Sequence, residues 1–114
     1  MKISMTEFAE AKKRYQEEFK TLTDFDEELR SVIERFNKTP RWCCTQCCSG
    51  HGIIEDAYLS FIHYNILPLQ QLKRVEAEFP EVTFQINFDS HWNIRYTVWG
   101  VSDFDRVVDL LTTE

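Results

Sequence analysis

Val82-Thr83-Phe84-Gln85-Ile86-Asn87-Phe88 alternates without a break: Val82, Phe84, Ile86 and Phe88 on one side, Thr83, Gln85 and Asn87 on the other. Side chains of a strand point to opposite faces in turn, so this order predicts a half-buried β-strand. Ile94 to Trp99 alternates in the same way, and Asp89-Ser90-His91-Trp92-Asn93 between the two runs carries the residues that turns require. The pair reads as a β-hairpin, and the rest of the chain must give that hairpin a sheet and an apolar cover.

Upstream of the hairpin, Leu69, Leu72, Val75 and Phe79 recur at helical spacing between Pro68 and Pro80, which predicts a helix bounded by the two prolines. Ala57-Tyr58-Leu59-Ser60-Phe61-Ile62-His63-Tyr64 precedes it, and its aromatic and branched content favours a strand buried on both faces. Downstream, Ser102 is placed to cap a last helix that turns Phe104, Val107, Val108 and Leu111 inward. At the N-terminus Ser4 and Glu7 have capping-box spacing, and Phe8, Ala11, Tyr15, Phe19 and Leu22 form a stripe. A second helix is expected from Asp24, with Glu27 three residues on and Phe25, Leu29, Val32, Ile33 and Phe36 as its stripe. The short link predicts an antiparallel helical hairpin over about 4–37, closed by Asn37-Lys38-Thr39-Pro40. The expectation is one α+β domain over 1–114: the helical hairpin, a cysteine loop over about 40–52, then β-α-β-β-α over about 57–112 with a three-stranded sheet and a right-handed crossover.

Composition agrees with a single packed domain. The chain has 114 residues, 43% hydrophobic, with nine Phe, four Tyr and three Trp, enough aromatic area for a core without a covalent staple. The formal net charge of −6 argues against binding a phosphate backbone, and Lys12-Lys13-Arg14 sits among Glu10, Glu17 and Glu18 as a mixed, solvated helix face. No apolar run is long enough to span a bilayer, and the N-terminus lacks the basic-then-apolar order of a signal peptide. A reducing, cytoplasmic setting is expected, which turns the reading of cysteine toward metal or reversible redox chemistry.

All four cysteines lie in Trp42-Cys43-Cys44-Thr45-Gln46-Cys47-Cys48-Ser49-Gly50-His51-Gly52. Cys44 and Cys47 have the two-residue gap of a zinc knuckle, and His51 follows at ligand spacing. The predicted zinc set is Cys43, Cys44, Cys47, Cys48 and His51, with His63 or His91 able to complete it from elsewhere. The same Cys44 and Cys47 could instead cycle between dithiol and disulfide, but the segment follows Pro40 and lacks the strand-to-helix frame of thioredoxin-like enzymes. An open coordination position would suit a small zinc hydrolase. Four inert thiols acting as small hydrophobes are the remaining reading.

Trp42 to Cys47, with His51 and then Tyr58-Leu59-Ser60-Phe61-Ile62-His63, resembles a small bacterial family without an assigned activity. That family carries a Cys-Cys-x-x-Cys-Gly-His element followed by an apolar strand ending in His. The likeness spans about 42–64 and departs at Cys48, where the family has Gly. It implies that Cys43, Cys44, Cys47 and His63 lie together in space, and it brings no reaction with it.

Asp89 and His91 have the spacing of an acid–base pair, although Asp, Ser and Asn are also turn residues. The chain has no phosphate-binding loop, dinucleotide fingerprint or serine-nucleophile signature. The sequence shows no catalytic constellation, and the three tryptophans compare with interface anchors, since Trp is enriched where proteins dock, although core packing is the default for each. The expectation is a small zinc-binding interaction module, an inhibitor or regulator, that meets another protein through Trp42, Trp92 and Trp99.

Overall fold

The computed structural model describes residues 5–21, 27–64 and 68–113. Its elements are α1 (Met5–Thr21), α2 (Glu27–Lys38), β1 (Trp42–Cys48), β2 (Tyr58–His63), α3 (Leu69–Glu78), β3 (Thr83–Phe88), β4 (Ile94–Trp99) and α4 (Phe104–Thr112). The Ser4–Glu7 capping box, Leu22, Asp24 and Phe25 involve positions outside the described residues. The class is α+β as expected, with one antiparallel sheet in the order β1-β2-β4-β3.

The sheet has four strands where three were expected, because the cysteine segment is a strand and not a loop. β1 pairs antiparallel with β2 from Trp42↔His63 to Cys48↔Tyr58. Its sequence hides this, for two reasons. Trp42, Cys43 and Cys44 are buried in succession, being covered on both faces, so no alternation shows. An extra residue at Thr45 then shifts the register between Cys44 and Gln46, breaking the period of two. The crossover is also different in detail. β2 and β3 each pair antiparallel with β4, so they run parallel with β4 inserted between them.

The register sorts the side chains, since directly paired residues share a face. Leu59, Phe61, Tyr96 and Val98 face the larger core, which α2, α3 and α4 complete through Val32, Ile33, Phe36, Val75, Val107, Val108 and Leu111. Cys43 and Ile62 face the other way and pack with Phe8 and Ala11 of α1. The two N-terminal helices thus follow one another as expected, but their stripes cover opposite faces of β1 rather than chiefly each other. The α4 cap is Asp103, whose carboxylate accepts from the Arg106 N–H at 3.1 Å, in place of Ser102.

A side-chain amide caps one backbone N–H on the β1 edge. The buried Asn37 side chain accepts the Cys44 N–H at 2.8 Å. Lys12 Nζ donates to the Thr39 carbonyl at 2.8 Å. The first bond ties α2 to the strand that carries the cysteines, and the second ties α1 to the turn that leads into it.

Candidate functional site

In an unbroken strand, residues three apart point to opposite faces. The bulge at Thr45 adds one residue, so Cys44 pairs with Phe61 and Cys47 with Leu59, and both cysteines face the larger core. Cys43 pairs with Ile62 and Cys48 with Tyr58, on the opposite face. The four thiols are split two and two across the sheet.

Each thiol has local partners. A thiol–thiol hydrogen bond with Cys47, burial and the neighbouring thiols push Cys44 well above the usual thiol range. Burial pushes Cys43 up to about 12, against the opposing charge of Lys12. Cys48 Sγ accepts the Gly50 N–H at 3.4 Å. Cys43 and Cys44 are therefore held as protonated thiols at neutral pH, poor as nucleophiles and as ligands until a proton leaves. The bulge leaves Cys44 and Cys47 opposite Phe61 and Leu59, two strand steps and roughly 7 Å apart, at the upper limit of Cα separation for a disulfide.

Gly50, His51 and Gly52 all have positive φ, at 80°, 50° and 94°. A Cβ on Gly50 would meet the Ala57 nitrogen at 2.9 Å, so glycine is required there to bring the chain back into β2. This turn sets His51 at one end of a cleft of about 650 Å³ between α1, the sheet and the β3–β4 hairpin. Cys44, Cys47, Cys48, His51 and His91 all reach its wall, with Arg14, Tyr58 and Arg95. Cys43 and His63 do not. His63 lies against the Trp42 ring, centroids 4.1 Å apart, on the side of the larger core. Among the described residues, no group of three or more His, Cys, Asp or Glu side chains is placed to share an ion. Of the residues predicted as one zinc set, Cys44, Cys47, Cys48, His51 and His91 share this cleft, whereas Cys43 and His63 lie apart from it.

The hairpin settles the role of Asp89. Its carboxylate accepts the backbone N–H groups of His91 at 2.8 Å and Asn93 at 2.9 Å, the Asn93 amide at 3.0 Å and the Tyr15 hydroxyl at 2.5 Å. Partial burial raises its pKa, but these donors, Tyr15 first, outweigh it and hold the group below the ordinary aspartate range. Asp89 therefore builds the turn and is not a base for the His91 imidazole. Tyr15, which sequence reading passed over as a stripe residue, is the strut that pins the hairpin to α1.

The three tryptophans have three different fates. Trp42, expected at a partner surface, is 2% exposed and packs on Phe36 and Phe61; as a β1 residue on the helix-packed face it belongs to the core. Trp99 is half-buried, its ring 4.7 Å from Tyr58 and its Nε1–H donating to Gln85 at 3.1 Å. Trp92 is 79% exposed. The Trp92 N–H bonds the Asp89 carbonyl and the Asp89 N–H bonds the Asn93 carbonyl, so the loop is a three-residue hairpin turn with Trp92 at its left-handed position, φ 64°. Phe88 lies beside it, centroids 5.8 Å apart. Ile86 and Phe88, read from the alternation as inward, are each 54% exposed, because β3 is an edge strand that the helices do not fully cover.

Among the described residues no helix is long and apolar enough to cross a membrane. No family model, no curated protein and no solved structure matches this chain.

Proposed function

We propose that this protein acts by binding another polypeptide through the tip of the β3–β4 hairpin, with Trp92 as the anchor. One observation carries this reading: a tryptophan stands, 79% exposed, at a left-handed turn position that glycine or asparagine fills at lower energy. For a bulky residue that conformation costs about 1–2 kcal/mol, and burial does not offset it. Backbone strain of this kind collects at working surfaces. The tip is also braced before any partner arrives, by the donors around Asp89 and by Tyr15, so little order would be lost on binding. Such a braced, exposed anchor suits an inhibitor or regulator of the partner.

Trp92→Gly tests the reading through two measurements with opposite signs. Thermal stability should rise, because glycine relieves the turn. Retention of a host protein, mapped by a photo-crosslinker placed beside position 92, should fall. Lower stability in the glycine variant, or unchanged retention of the same protein, would sink the proposal.

A second reading keeps zinc. What supports it is the Cys44–Cys47 thiol pair, with Cys48 and His51 on the wall of the same cleft. A tetrahedral ion would need both Cys48 and His51 to turn toward that pair and the thiols to lose their protons. Elemental analysis of protein purified without added metal decides it: about one zinc per chain, lost together with stability in Cys47→Ser, establishes the site. Metal-free, fully folded protein removes it.

A further inference from the structure

β3 ends the sheet, and among the described residues no strand pairs with its outer side. The bond from the Asp89 N–H to the Asn93 carbonyl fixes the phase of the ladder. Asn87, Gln85 and Thr83 direct their peptide groups at β4, so those of Phe84, Ile86 and Phe88 point outward. Natural edge strands are usually blunted by charge, proline, a bulge or a cover. Thr83-Phe84-Gln85-Ile86-Asn87-Phe88 has neither charge nor proline, pairs with β4 in unbroken register, and leaves Ile86 and Phe88 exposed.

Phe84-Gln85-Ile86-Asn87-Phe88 also reads nearly the same in both directions about Ile86. Antiparallel pairing of two copies around that residue sets Ile86 opposite Ile86, Phe84 opposite the second copy's Phe88, and Gln85 opposite the second copy's Asn87. Every apolar residue meets an apolar one and each side-chain amide meets an amide, with all three outward peptide groups of each strand paired. A twofold interface needs this self-complementarity, and a foreign strand would have no reason to match it. The net charge of −6 works against generic self-association, whereas the uncharged strand meets its copy without like-charge opposition.

We infer that the protein forms a twofold homodimer by antiparallel β3–β3 pairing centred on Ile86, joining two four-stranded sheets into one. The pairing goes beyond the Trp92 reading and leaves that residue free: the two hairpin tips lie at opposite ends of the shared seam, so the dimer would present two anchors.

Light scattering on the full chain across the micromolar range, with amide exchange, tests the inference. The expected mass is twice 13.6 kDa, with protection of the Phe84, Ile86 and Phe88 amides that grows with protein concentration. Added salt should strengthen the dimer by screening the net charge. Ile86→Lys puts two ammonium groups face to face and should weaken dimerisation by about a hundredfold or more. Ile86→Pro removes only an outward N–H and should also yield monomer with the fold intact by circular dichroism. Trp92→Gly should remain dimeric, so failure of the Trp92 reading leaves this result untouched. A monomer at every concentration, a dimer indifferent to both Ile86 variants, or a dimer lost in Trp92→Gly would overturn the inference. So would protection of the β3 amides that appears only with a foreign peptide.

Discussion

At one side of the sheet, β1 carries a bulge at Thr45, a side-chain amide on its Cys44 N–H, and helices against both faces. At the other side, β3 keeps regular register, exposes Ile86 and Phe88, and has no strand on its outer side among the described residues. Both strands are uncharged and rich in apolar residues. The difference lies in how their backbone groups are satisfied, which assigns the β1 edge to stability and the β3 edge to association.

Substitutions at the two edges should separate along that line. Trp42→Ala empties a fully packed site among Phe36, Phe61 and His63 and should lower unfolding free energy by about 3–5 kcal/mol, measured in urea. A loss below about 1 kcal/mol would break the contrast at its strongest point. Asn37→Ala leaves the Cys44 N–H buried without its acceptor and should cost about 1–3 kcal/mol.

A third prediction uses pH. Burial raises Cys43 from 9.0 to about 12, so the unfolded chain gives up this proton at lower pH than the folded one. The contribution is complete below pH 9 and is lost as pH climbs toward 12, with about 1 kcal/mol gone by roughly pH 10. In Cys43→Ala that share of the alkaline decline should disappear from melting curves. The smallest effect belongs to the open edge: Ile86→Lys should change monomer stability by no more than about 0.5 kcal/mol, even as it changes association. A large destabilisation there would mean that β3 is part of the folding core, and the distinction between the edges would blur.

The parts of the fold that keep a regular period are legible in the sequence. β3 and β4 pair in regular register as read, and the described stripe residues of α2, α3 and α4 face inward except Leu69, which is 46% exposed. β1 is illegible for a physical reason. Two-sided burial removes alternation, and the extra Thr45 removes phase, so Cys-Cys-x-x-Cys-Cys looks like a loop built around an ion. Knuckle spacing describes neighbours along a turn, whereas here the bulge of a strand returns Cys44 and Cys47 to one face and leaves Cys43 and Cys48 on the other. The Trp92 position could be suspected from its turn neighbours, but its left-handed φ follows from the three-residue loop, which only the ladder register fixes. Tyr15 gave no signal at all, because its hydroxyl meets a residue 74 positions away.

The contrasting fates of the three indoles give the molecule a built-in optical gauge. Trp42 lies in a dry interior beside an imidazole, Trp99 is shielded by a phenol ring, and Trp92 stands almost wholly in water. Emission at the red end of the spectrum, and its quenching by iodide, therefore report on one residue without any dye. Whatever settles over the hairpin tip should shift that light toward the blue while leaving the other two emitters undisturbed.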